Sequence, residues 1–207
     1  MNIDEENYLL PVLCGYLTEK NYPAFTALLK QCLSVGIAPG DIREAVIQVY
    51  LHAGYPAALE GLFILNQELG GKTEVFTEEA INEGTLENWR SHGEKTCKIV
   101  YRGNYDKLVE NVRKLSPDFA NWMVIEGYGK VLSRPQLPLK LREFISIAVL
   151  MAGWYPRQLH SHLKGALNAG AAPEEIEMLL DRLSEVSPEK SQMSRELWEK
   201  ILFAANS

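Results

Sequence analysis

Apolar positions recur at helical intervals along nearly the whole chain. Ile42, Ala45, Val46, Val49 and Ala53 fall at i, i+3, i+4, i+7 and i+11, one stripe along a helix, and Leu108, Val112 and Leu115 form a weaker stripe of the same kind. No convincing period-2 segment appears. Residues 139–152, LKLREFISIAVLMA, are apolar almost all round after the first turn and predict a buried, central helix. Pro156 separates that helix from the next, so the preceding Gly-Trp-Tyr is the turn of a helical hairpin. The pattern predicts an all-α fold built from helical hairpins.

The punctuation between helices occurs twice. FTALLKQCLSVGIAPGDIREAV (25–46) and LHSHLKGALNAGAAPEEIEMLL (159–180) align at a constant interval of 134 residues. Leu33, Gly36, Ala38, Pro39, Asp41 and Ile42 then meet Leu167, Gly170, Ala172, Pro173, Glu175 and Ile176. In each copy the glycine suits a left-handed helix end and the proline suits the first turn of the next helix. The acidic residue complements that helix's dipole. The chain reads as two related repeats, 1–72 and 89–207, joined by a polar, glycine-flanked connector at 73–88. A Gly-to-Pro-to-acid turn also occurs wherever helices are joined, which is the plainer reading of the same residues.

Composition narrows the function. The 207 residues are 46% hydrophobic and 23% charged, ordinary values for a folded protein with a substantial core. A net charge of −6 and a pI near 5.3 argue against a phosphate-backbone binder, so no nucleic acid partner is expected. Cys14, Cys32 and Cys97 make neither a CxxC nor a zinc-ligand spacing and read as reduced structural thiols. The acidic N-terminus is unlike a secretory signal, and the longest apolar run is too short to span a bilayer. The expectation is a cytoplasmic protein with no membrane partner.

The chemistry-bearing residues gather around the two hairpins. Glu143 lies beyond the first turn of the central helix, where the helix dipole gives little reason for an acid. Flanked by Phe144 and Ile147 it is partly desolvated and prepared to share a proton, or it is a rim glutamate paired with Lys140 or Arg142. His160 and His162 both lie at the edge of the next helix's apolar stripe, roughly 75–85° from its centre, so helical geometry does not choose between them. Their i, i+2 spacing fails as a metal pair, and no metal is expected. Gln48 and His52 stand one helical turn apart, with Tyr55 in a Gly-Pro corner, and suit the wall of a polar pocket or a packed helix terminus. Arg134 and Arg142 are candidates to hold a substrate carboxylate, or are ion-pair partners.

The run GKVLSRPQLPLKLREFISIAVLMAGWYPRQLHSHLKGALNAGAAPEEIEMLL resembles the carboxymuconolactone decarboxylase family, related to alkylhydroperoxidase D. GDIREAVIQVYLHAGYPAALEGLFILNQEL in the first half looks like the same family's downstream segment. The resemblance implies an all-α fold in ring-like trimers or hexamers, and a homotrimer of this duplicated chain imitates a six-unit ring. It also implies that Glu143 and His162 are the acid and the histidine of the site, while His160 matches no functional position. The peroxidase branch carries a CxxC where this chain has Tyr155 and Gln158, which disfavours thiol peroxidase chemistry. Leu9 and Leu28 replace Glu143 and His162 in the first repeat, and Arg182 and Pro188 stand where the second repeat loses the glutamine and the glycine corner.

The expectation is therefore one composite site per chain: His162 as proton donor, Glu143 orienting or reprotonating it, and a wall of Gln48, His52 and Tyr55, with Arg134 on the substrate carboxylate. The expected reaction is cofactor-independent decarboxylation of a small carboxylated lactone or related acid by acid/base chemistry. A different small-molecule lyase or isomerase, or a non-catalytic small-molecule-binding or structural member of the family, is the alternative.

Overall fold

The computed structural model describes residues 3–71 and 85–205, and all regular structure in them is helical. The helices are α1 (Ile3–Thr18), α2 (Tyr22–Ser34), α3 (Pro39–Gln48), α4 (Tyr50–Glu68), α5 (Leu86–Tyr101), α6 (Tyr105–Leu115), α7 (Pro117–Trp122), α8 (Leu139–Ala152), α9 (Pro156–Asn168), α10 (Pro173–Leu183) and α11 (Pro188–Ala205). A short 3-10 turn, Arg102–Asn104, precedes α6, and a π-helix, Met123–Leu132, continues from α7. The connector expected at 73–88 lies mostly outside the described residues; its end forms the start of α5, where the Thr85 side chain accepts from the Asn88 N–H.

Two compact units divide the chain: one comprises residues 1–72 and 136–207, the other 73–135. These bounds come from packing and are distinct from the 1–72 and 89–207 segments expected from the sequence. In the larger unit the helix ends follow the sequence punctuation. Gly36 (φ 93°) ends α2, with Ile37 N–H bonded to Cys32 O and Gly36 N–H to Leu33 O. Gly170 (φ 96°) ends α9 with the same pair of bonds, Ala171 to Ala166 and Gly170 to Leu167. Both are Schellman ends, for which a residue without a Cβ is the natural choice. The interval of 134 residues separates Tyr22 from Pro156 and Ser34 from Asn168, so α2 and α9 start and stop in step.

Helix α8 is the axis of this unit. Every residue from Arg142 to Ala152 is buried. Phe144, Ile147, Ala148, Leu150 and Met151 face one apolar cluster, with Leu159, Leu163, Ile176 and Leu180 of α9 and α10. Ile145 and Val149 face another, with Phe25, Leu29, Ile42 and Val46 of α2 and α3. Helix α1 also feeds both clusters, through Tyr8 and Val12 on one side and Leu13 and Leu17 on the other. Full burial follows from the apolar surface, each large side chain contributing about 1.5–3 kcal/mol. It leaves Arg142, Glu143 and Ser146 as polar groups with no access to water, each of which must find partners.

In the smaller unit α5 lies directly against the π-helix. A Cβ on Gly129 would come 1.9 Å from Trp89 O, and one on Gly93 would come 2.0 Å from Val124 O, so both glycines permit backbone contact that no side chain tolerates.

Candidate functional site

The buried polar residues of α8 meet side chains of α3, α4 and α9 inside the larger unit. His162, on α9, brings Nδ1 to 2.8 Å from Glu143 Oε2. The hairpin turn after α8 makes this possible, since residues nineteen apart on one continuous helix would point about 100° away from each other. Glu143 is fully buried and His162 nearly so. The carboxylate has one partner: Glu143 Oε1 is buried without a hydrogen bond among the described residues. The other ring nitrogen is also without a hydrogen bond: Nδ1 meets Glu143, and Nε2 makes none among those residues. The site thus offers an acceptor oxygen and a ring nitrogen with no competing protein partner.

The rim-glutamate alternative for Glu143 is corrected by the pairing. Lys140 bonds Glu175 at 2.7 Å, and Arg142 reaches Glu44 Oε2 at 3.0 Å. Arg142 is fully buried, so it is also removed as a candidate for holding a substrate carboxylate. It also contacts Gln48, with Nη1 donating to Oε1 at 3.3 Å.

Gln48 closes a network. Its Nε2 donates to Arg142 O at 2.6 Å and to Ser146 Oγ at 3.1 Å. Ser146 Oγ lies 3.2 Å from His52 Nε2, and the His52 ring meets the His162 ring edge to face with centroids 5.3 Å apart. His52 therefore borders the Glu143–His162 pair, whereas Gln48 is spent on internal bonds and does not present a free amide to a pocket. Burial, and secondarily His162, push the His52 pKa down from 6.5 to about 3, so the ring is neutral over the physiological range.

Helix α4 breaks at Gly54, whose φ of 85° and ψ of 165° are open to glycine and strained for other residues. The break confines His52 to a first turn beside α3. Tyr55, beyond it, is 62% exposed and stacks on Tyr50 with centroids 4.8 Å apart; its described contacts do not include the pair. Arg134 lies in the smaller unit, half-buried, its N–H bonded to Val131 O. Sequence reading missed Ser146 and Glu44. Their signal was faint: a hydroxyl inside an otherwise apolar helix, three residues after Glu143, and an acid one turn before Gln48.

A cavity of about 100 Å³ lies elsewhere in the larger unit, lined by Tyr8, Leu9, Val12, Leu28, Arg182 and two further residues. At the interval of 134 residues, these five stand where Arg142, Glu143, Ser146, His162 and Gln48 stand in the site above. Leucines thus stand there in place of Glu143 and His162, although Arg182 and Glu185 keep charge on the cavity wall. Among the described residues no cluster of three metal-ligating side chains occurs, and no helix is long and apolar enough to cross a membrane.

The sequence model of the carboxymuconolactone decarboxylase family matches residues 117–186, a span that contains Glu143, Ser146 and His162. 4-Carboxymuconolactone decarboxylase of Acinetobacter baylyi is 30% identical over 87 residues, covering 42% of this chain and 65% of that protein. Peroxisomal protein 2 of Schizosaccharomyces pombe is 36% identical over 101 residues, covering 46% of this chain and 47% of that protein. The chain spans less than two thirds of the length of either relative.

The neutral state of His52 has a consequence for stability. The unfolded chain takes up a proton near pH 6.5 and the folded protein only near 3. The stabilisation is therefore complete above 6.5 and is lost as pH falls from there towards 3, by at most about 1.4 kcal/mol per unit. Urea unfolding at pH 7 and pH 5 is expected to show a loss for the wild type that exceeds that for His52→Gln by up to about 2 kcal/mol. Equal losses in both proteins would show that His52 is not held neutral.

Proposed function

We propose, on the premise that the chain belongs through residues 117–186 to the carboxymuconolactone decarboxylase family, that it is a cofactor-independent decarboxylase of a small carboxylated unsaturated lactone. The observation that carries this reading is the buried Glu143–His162 contact at 2.8 Å with Glu143 Oε1 and His162 Nε2 left for a ligand. In the reaction the bond between the ring carbon and the carboxylate breaks, carbon dioxide leaves, and the electron pair moves through the conjugated system to the lactone oxygen. That pair then returns to form a carbon–hydrogen bond.

Three groups of this chain suit these steps. His162, protonated and paired with the Glu143 carboxylate, gives its Nε2 proton to carbon, and Glu143 stabilises the imidazolium before transfer and guides its reprotonation. His52, neutral and in ring contact with His162, donates a hydrogen bond to the oxygen on which charge develops. Exclusion of water around Glu143 strengthens each of these interactions. Thiol chemistry finds no support: the three cysteines are buried, and burial raises the Cys32 thiol to about 12 and Cys14 higher still.

The same reading includes a homotrimer. Tyr55, Leu59 and Phe63 lie at i, i+4 and i+8 on α4, each at least half exposed, and form an apolar stripe just past the kink that holds His52. A second copy of the chain is the occupant that the related ring assemblies suggest for it. Sedimentation is expected to give about three times the 23.3 kDa chain mass, falling for Phe63→Lys; a single-chain mass for the wild type would contradict the assembly.

Ultraviolet-monitored turnover of 4-carboxymuconolactone tests the chemistry. The wild type is expected to consume it, and His162→Ala to lose roughly a hundredfold or more in kcat while keeping its fold, as for removal of a general acid. Tight ligand binding without turnover by the wild type would instead favour a non-catalytic binding protein, and neither binding nor turnover would point to another small acid.

A further inference from the structure

We propose that Ser146 is a positioning residue that locks His52 in the tautomer with the proton on Nδ1, so that His52 meets the ligand as a fixed N–H donor and never as a base. The proposal deepens the decarboxylase reading and rests on it for its catalytic consequence, but the lock itself follows from the direction of hydrogen bonds that chemistry leaves no freedom to reverse.

The direction is set at Arg142. A guanidinium only donates, so the Gln48 atom 3.3 Å from Arg142 Nη1 is the amide oxygen. A backbone carbonyl only accepts, so the Gln48 atom 2.6 Å from Arg142 O is the amide nitrogen. The two contacts agree on one orientation of the amide, and Glu44, 3.0 Å from Arg142 Nη2, anchors the guanidinium that enforces it. Gln48 Nε2 then donates to Ser146 Oγ at 3.1 Å, which makes the hydroxyl oxygen an acceptor on that side.

The hydroxyl proton of Ser146 must go elsewhere. Ser146 is fully buried, and the other partner found for its oxygen is His52 Nε2 at 3.2 Å. Were Nε2 protonated, two donors would point at Oγ and the hydroxyl proton would be buried with no acceptor, which is strongly unfavourable. Nε2 therefore accepts, and in a neutral ring the proton resides on Nδ1. Nδ1 makes no hydrogen bond among the described residues, so its proton is available to a ligand. Burial of the ring, which pushes its pKa down to about 3, keeps it in the neutral form that the lock requires. The chain runs one way from Glu44 through Arg142, Gln48 and Ser146 to His52.

The tautomer is read directly by long-range proton–nitrogen correlation on protein with nitrogen-15 histidine. The chain has four histidines, and His52→Gln identifies the His52 signals. The expected wild-type pattern is a protonated Nδ1 and an unprotonated, hydrogen-bonded Nε2, in ligand-free protein at neutral pH. Ser146→Ala is expected to shift the pattern towards a mixture with protonated Nε2 and to lower kcat on 4-carboxymuconolactone about tenfold or more, with KM changed much less. Ser146→Thr, which keeps the hydroxyl, is expected to restore both. A protonated Nε2 in the wild type overturns the lock whatever the turnover, and so does an unchanged pattern in Ser146→Ala. The expected tautomer in a protein that turns nothing over supports the lock and overturns the decarboxylase reading, so the two failures are distinct.

Discussion

One constraint organises the larger unit: a carboxylate with no exposure to water, Glu143, has to be held inside the apolar helix α8. An isolated buried carboxylate is unfavourable by several kcal/mol, and what offsets it here is one imidazole at 2.8 Å. That dependence explains why the turn between α8 and α9 matters more than either helix alone. Only a hairpin sets His162 opposite Glu143, and the Schellman end at Gly170 and the apolar face of Leu159, Leu163 and Ala166 fix the second helix against the first.

The second buried charge, Arg142, is treated differently. Glu44 neutralises it, Gln48 accepts another of its N–H groups, and Ser146 passes the polarity on to His52. Two neighbouring polar systems thus share the interior of α8. The Glu143–His162 contact leaves Glu143 Oε1 and His162 Nε2 without hydrogen-bond partners among the described residues. The Arg142 network spends its groups on one another, as expected of a rigid support. His52 is where the two meet. The cavity around Leu9 and Leu28, 134 residues earlier, has leucines where the site has Glu143 and His162, while Arg182 and Glu185 remain on its wall.

Much of the frame was legible in the sequence. Gly36 and Gly170, followed by Pro39 and Pro173, announced the ends and starts of helices that the structure contains, because those residues act locally through φ and a missing N–H. The all-round apolar run announced the burial of α8 for an equally local reason. Side-chain partners depend on contacts between distant segments, and there the sequence was less informative. Glu143 remained open between a rim and a buried role, the two histidines were equivalent by helical phase, and Arg142 read as a ligand-binding candidate until its Glu44 partner, 98 residues away, came into view. Ser146 carries no periodic or motif signal in the sequence. The π-helix over 123–132 leaves no periodic mark of its own, and the return of the chain to the larger unit at residue 136 is a packing fact that a repeat boundary does not encode.

The central claim is that protonation of the substrate carbon comes from one side chain, His162, and not from solvent. Turnover of 4-carboxymuconolactone in deuterium oxide, with the product's new carbon–hydrogen centre read by NMR, tests it most directly. Delivery by His162 predicts one deuterium per turnover, on a single face of that carbon. Deuterium distributed equally over both faces would mean that water protonates a released intermediate, and would contradict the account.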